Sequence, residues 1–185
     1  MRPGERAIAA AAILAVTLAS LVPADAAPRR SKKQEEAAPA PASIDKRDRA
    51  VAAPGTPFHN RAYWQAAAQC GGIYFKLNTL YAEAAITAKV IKPDPAAYTR
   101  LSKEADVAST KATTFFDVSE RFLATDRKLA REEAVLTYDA AAHSAGDRLK
   151  TVDAALQAAK SCPELYKVCR GAFPQVCNDT TALIN

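Results

Sequence analysis

Four cysteines and one acid–histidine–acid triplet are the residues of this chain whose types and spacing could do chemistry. Cys70 stands alone beside Gly71 and Gly72, whereas Cys162, Cys169 and Cys177 crowd the C-terminus. Thiols can ligate metals, carry redox chemistry or close disulfides. There is no Cys-x-x-Cys and no Cys-x-x-Cys-His, and neither His59 nor His143 lies near a cysteine in sequence, so redox catalysis and haem attachment lack their spacing. Asp139, His143 and Asp147 follow one another at intervals of four and so share a helical face. Such a face could bind a metal or polarise a water. The simpler reading is a solvated face whose charge pairs contribute about 0.2 to 0.5 kcal/mol each. No serine sits in Gly-x-Ser-x-Gly or Ser-x-x-Lys, and no glycine-rich phosphate loop follows a strand. The site residues the sequence supports are therefore structural: the four disulfide cysteines Cys70, Cys162, Cys169 and Cys177, with no catalytic, metal or cofactor residue.

The first residues indicate where the cysteines work. Two arginines in MRPGER precede an uncharged stretch from Ala7 to Val22, and Ala24-Asp25-Ala26 offers small residues for a signal peptidase. Residues 1–26 are read as a signal peptide. The apolar stretch falls short of the ~20 residues of a spanning helix, so no transmembrane segment is expected after cleavage. An exported chain with an even number of cysteines is expected to be disulfide-bonded, in the periplasm or secreted.

The charge of the chain is +5, and its distribution matters more than its total. Residues 27–50 carry seven Lys/Arg against four Asp/Glu, whereas residues 51–185 carry 16 against 14. A nearly neutral domain behind a short basic tail is not the footprint of a nucleic-acid binder. Anionic envelope components are the more plausible target of the tail, and a solubilising spacer is the plainer alternative. Residues 27–57 hold Pro28, Pro39, Pro41, Pro54 and Pro57 and few large apolar side chains, which predicts a disordered, basic, Ala/Pro-rich linker.

The elements that must position the cysteines are helices throughout, in a domain spanning residues 58–185. Tyr63, Ala67, Cys70, Tyr74, Leu77, Tyr81, Ala84, Ala88 and Ile91 form one stripe, predicting a helix over about 60–91. Pro93-Asp94-Pro95 ends it and starts a second, antiparallel helix whose stripe runs through Tyr98, Leu101, Ala105, Ala108, Ala112, Phe115, Ser119 and Phe122. Val135, Tyr138, Ala142, Ala145, Leu149, Val152, Leu156 and Ala159 predict one helix over about 127–160. The alternative is a break at His143–Gly146 with Asp147 capping a separate helix. Ser161, Cys162-Pro163 and Glu164 mark the start of a short final helix, and Gly171 suits its stop. The fold class is thus all-α: an antiparallel three- to four-helix bundle with a short C-terminal helix, tied by two disulfides.

Geometry restricts the pairing. Cys162 and Cys169 in one helix would stand ~10.5 Å apart, beyond disulfide reach. Two pairings remain: Cys70–Cys162 with Cys169–Cys177, which is preferred, or Cys70–Cys169 with Cys162–Cys177. If the third helix is continuous, Cys162 emerges at the far end from Cys70 and a later cysteine is favoured; a break near Gly146 brings Cys162 back. Adjacent glycines inside a helix cost about 1 kcal/mol each relative to alanine. Gly71-Gly72 is accordingly read as the landing site of another backbone, the C-terminal segment that bonds to Cys70.

Trp64 and Phe75 lie off the first stripe and are the candidates for an exposed interaction surface. Tyr63, Tyr74 and Tyr81 could instead line a small-ligand pocket between helices. The run Trp64 to Leu77, with Cys70-Gly71-Gly72, Tyr74 and Leu77, resembles short exported helical proteins of uncharacterised function from alphaproteobacteria. The resemblance covers one helix and the placement of the C-terminal cysteines; it implies a periplasmic address and a disulfide-tied bundle, and it brings no active site. The function expected is a non-enzymatic, envelope-associated interaction or structural module. The alternatives are a small-ligand-binding periplasmic protein and a small enzyme using Asp139, His143 and Asp147.

Overall fold

The computed structural model describes residues 46–51 and 56–177. The signal peptide expected at 1–26, and the part of the expected linker before Lys46, lie outside the described residues. Within them the chain is all-α apart from two short strands, β1 (Ala50–Val51) and β2 (Arg61–Ala62), which pair antiparallel. Residues 46–51, placed in the linker by composition, are thus part of the domain. Their apolar content is small, but Val51 and Phe58 are buried against the bundle.

Helix α1 (Tyr63–Ile86) continues through a π turn, Thr87–Ile91, and α2 (Pro95–Phe122) through another, Leu123–Arg127. Asp94 caps α2 as its sequence predicts, Oδ1 accepting from the Ala97 amide at 2.9 Å, with Pro95 in the first turn where its missing N–H costs nothing. The two helices pack antiparallel along their inner halves. Ser119 donates to the Trp64 carbonyl at 2.9 Å, and Tyr63 stacks on Phe122 and Tyr74 on Phe115, with centroids 5.3 and 5.8 Å apart. Asn78 donates to the Ala105 carbonyl at 3.0 Å. Beyond that bond the expected stripe fails: Ile91, assigned to the core by periodicity, is 69% exposed. Among the described residues no third helix lies over this outer half to bury it.

The continuous helix over 127–160 is replaced by α3 (Arg131–Gly146) and α4 (Val152–Ala159). The break falls at Gly146, yet Asp147 does not cap the next helix. It sits at the C-terminus of α3, and Thr151 caps α4 by accepting from the Ala154 amide at 3.2 Å. The buried residues are Ala134, Ala142, Gly146, Ala155 and Ala159, while Val135 and Leu156 of the predicted stripe face outward. Ala142 and Ala159 of that stripe are buried, Tyr138 stacks on Phe116, and Ala145, Leu149 and Val152 pack against the core, so periodicity misplaces Val135 and Leu156 alone, where alanines on several faces blur the phase and the turn resets it.

Gly71-Gly72 is a landing site, but not for the C-terminal segment. A Cβ at Gly72 would fall on the Ala142 carbonyl of α3, one at Gly71 on the Phe116 ring of α2, and one at Gly146 would stand 2.8 Å from the Gly72 oxygen. The backbones of α1 and α3 therefore touch directly. Because α3 stops there, α4 runs back along α1 and delivers Cys162 to Cys70, with Cα atoms 5.7 Å apart. Helices α5 (Cys162–Ala172) and α6 (Pro174–Cys177) follow, joined by Cys169–Cys177 and by the Tyr166 hydroxyl donating to the Cys177 carbonyl at 3.1 Å. Two disulfides of this kind belong to an oxidising compartment.

Gly72→Ala is expected to destabilise the fold by about 1 to 3 kcal/mol, since overpacking against a backbone carbonyl outweighs the gain in helix propensity. Gly171→Ala, in α5 with nothing within 4 Å of the added carbon, is the matched control and should be neutral or stabilising by up to about 1 kcal/mol. Urea unfolding of the two variants measures the difference.

Candidate functional site

Two places on the bundle bring polar side chains together. The first is a clamp at the end where the chain enters. The Asp48 carboxylate is almost fully buried and accepts from Arg127 Nε at 2.7 Å, from Arg127 Nη2, and from Trp64 Nε1 at 3.1 Å. The Arg127 guanidinium lies 5.1 Å from the Trp64 ring centre. Next to it Arg49 pairs with Asp126 at 3.1 Å and covers the Phe173 ring at 4.8 Å. Trp64, expected on an exposed interaction surface, is therefore occupied by residues of its own chain. The clamp fixes residues 46–51 to the bundle.

The second place is a surface cleft of about 380 Å³ between α1, α2 and α3. Its size lies within the ordinary range of small-molecule sites. Phe75 and Phe116 supply aromatic surface, and the Gly72, Ala142 and Gly146 backbones form the wall left where no side chain separates α1 from α3. Lys76, Thr79, Asp139, His143 and Asp147 carry the polar groups. Phe75 is 57% exposed, as expected of an off-stripe residue. Phe116 is held by Tyr138, stacked at 5.4 Å.

The triplet Asp139, His143 and Asp147 lines one side of this cleft, so the shared face inferred from its spacing exists. His143 Nδ1 lies 3.0 Å from the Asp139 carbonyl oxygen and 3.1 Å from its carboxylate. The backbone bond to Asp139, then the charge of Asp139 and that of Asp147, raise the imidazole pKa above its ordinary 6.5. Among the described residues no three His, Cys, Asp or Glu side chains are grouped to hold a metal ion. The Thr79 hydroxyl donates to the Phe75 carbonyl at 3.2 Å and is turned to the helix rather than to a base.

Tyr63 and Tyr74 are buried against Phe122 and Phe115, and Tyr63 also meets the edge of Phe173. Burial raises the pKa of both phenols. Their rings fill the core, so the cleft forms on aromatics the sequence reading did not group with the triplet. Phe116 is adjacent to a core position in the Phe115-Phe116 pair, of which a single stripe can take one member. That doublet was the available signal. Lys76 and Asp48 had none. Compared with known protein families, curated proteins and solved structures, the chain matches none.

The clamp generates a direct test. Asp48→Ala leaves Arg127 and the Trp64 indole without their acceptor and is expected to cost about 1.5 to 3 kcal/mol, the range for a charge-assisted bond. Trp64 is the single tryptophan of the chain, so its emission in the folded variant reports release of residues 46–51.

Proposed function

We propose that the chain is an exported, non-enzymatic binding module of the cell envelope that takes a small aromatic or alicyclic organic anion in the Phe75–His143 cleft. The observation that carries the reading is the pairing of two aromatic rings, Phe75 and Phe116, with two cationic donors beside them, the Lys76 ammonium and the imidazole of His143, which Asp139 holds on its Nδ1 side. The Lys76 ammonium forms no ion pair among the described residues, and His143 bonds Asp139 through Nδ1, which leaves Nε2 for a ligand. An apolar ring would rest on the aromatics while a carboxylate met Lys76 and the imidazolium. The absence of an activated hydroxyl or thiol at the described cleft favours binding over catalysis by the triplet. The disulfides and the leader-like N-terminus support the periplasm or secretion as its location, and the excess of seven Lys/Arg over four Asp/Glu in residues 27–50 supports association with anionic envelope components.

Protonation of His143 sets the pH dependence. Its raised pKa keeps the imidazolium present to a higher pH than an ordinary histidine, and the charge is lost as pH rises through that value. Calorimetric titration with 1-naphthoate is therefore expected to show tighter binding at pH 6 than at pH 8. Lys76→Gln and Phe75→Ser should each weaken it by about tenfold, the scale of one charge-assisted bond or one apolar contact. Asp139→Asn should shift the pH dependence to lower pH. Binding of uncharged naphthalene methanol as tightly as naphthoate, or no binding of either, would overturn the reading.

A further inference from the structure

The outer half of the α1–α2 pair carries a surface that the cleft does not use. The 24 residues of α1 and the five of its π turn rise about 43 Å, whereas the 16 residues of α3 rise about 24 Å. From Asn78 through Glu104, Ala85 is the sole buried residue. Helix α4 reaches up only to about Tyr81, whose phenol feels the charge of Asp153 in the first turn of α4. What projects beyond is a two-helix arm whose apex is the turn Thr87–Ile91. Ile86, Val90 and Ile91 are 61%, 69% and 69% exposed there. A lone exposed aliphatic is ordinary, but three within six residues at an apex form a patch.

Within Ile86–Lys92 the charges have one sign, while the acids Glu83 and Asp94 flank the stretch on either side. Lys89 and Lys92 lie among the three aliphatics, no acid occurs from Ile86 to Lys92, and Asp94 is engaged as the cap of α2. The Lys89 ammonium stands over the Tyr98 ring at 5.2 Å, which adds an amphipathic aromatic behind the apex. We propose that this apex is a membrane contact: Ile86, Val90 and Ile91 enter the headgroup region of an anionic bilayer while Lys89 and Lys92 extend to lipid phosphates. Lysine stems suit this arrangement because they follow apolar surface and keep the ammonium at the polar boundary. A tip-to-tip pairing with a second copy would instead bring the four lysines of two apices together. The proposal extends the envelope reading and is independent of what the cleft binds.

Protein recovered from the periplasm of an expression host tests it on vesicles of phosphatidylglycerol and of phosphatidylcholine. Val90→Trp places a reporter at the apex, with Trp64 in the clamp at the other end of α1 as internal reference. Brominated phosphatidylglycerol is expected to quench the added emission and leave that of Trp64. Replacing Lys89 and Lys92 by Gln should lower the partition coefficient about fivefold per lysine, and Ile86→Ser, Val90→Ser and Ile91→Ser together should lower it further while naphthoate binding persists. These residues are exposed, so the variants should retain the parent's thermal unfolding. Partition that is unchanged by both sets and no quenching at position 90 would overturn the proposal, as would a dimer in solution that the triple variant dissociates.

Discussion

No side chain separates α1 from α3 where they cross. A Cβ at Gly72 would occupy the Ala142 carbonyl, and one at Gly146 would press on the Gly72 oxygen, so the two backbones meet with no room for a side chain between them. The path of the later chain follows from this contact. Helix α3 ends at the second of the two glycines, the chain turns through residues 147–151, and α4 returns along α1 with Cys162 at its end. A disulfide can then form across 92 residues of sequence. By loop-closure entropy that bridge stabilises by about 4.6 kcal/mol and the eight-residue Cys169–Cys177 loop by about 2.5. The long bridge holds the bundle closed, and the short one shapes its last turns.

Both surfaces described above are consequences of the same geometry. Direct backbone contact leaves the glycine wall of the cleft bare, with Phe75 and Phe116 beside it and the polar face of α3 above. The early stop of α3 leaves the outer α1–α2 pair without a third layer. A helix of the length predicted over 127–160 would rise about 51 Å, whereas α3 rises about 24 Å and stops at the glycine contact. The molecule thus divides into an inner half locked by disulfide, clamp and aromatic stacking, and an outer arm held by two helices alone.

Much of this was legible in the sequence, for identifiable reasons. The α2 stripe from Ala105 to Phe122 is buried as its period requires, because large aromatics at Phe115 and Phe122 leave no second face to choose. Asp94 and Pro95 announce a helix start through chemistry confined to three residues. The preferred pairing, Cys70–Cys162 with Cys169–Cys177, is the one present. At the start of α3 the stripe takes exposed Val135 for buried Ala134, because alanine marks a close approach and an exposed surface equally well. The partner of Gly72 was misassigned to the C-terminal segment, since a missing Cβ reports that something lies close and not what it is. Residues 46–51 were hidden in a polar, proline-rich stretch, and nothing in Asp48 alone signals that Arg127 and Trp64 will meet it from positions far along the chain.

The division into a locked half and an uncovered arm can be read most directly by native-state hydrogen exchange. Amides of residues 64–77 and 108–122, packed against α3, α4 and the disulfides, are expected to exchange only through global unfolding. Amides of residues 82–103 should open locally at a distinctly lower free energy and remain insensitive to reduction of Cys70–Cys162. Equal protection along the full length of α1 and α2, or loss of protection in both halves together on reduction, would contradict that division.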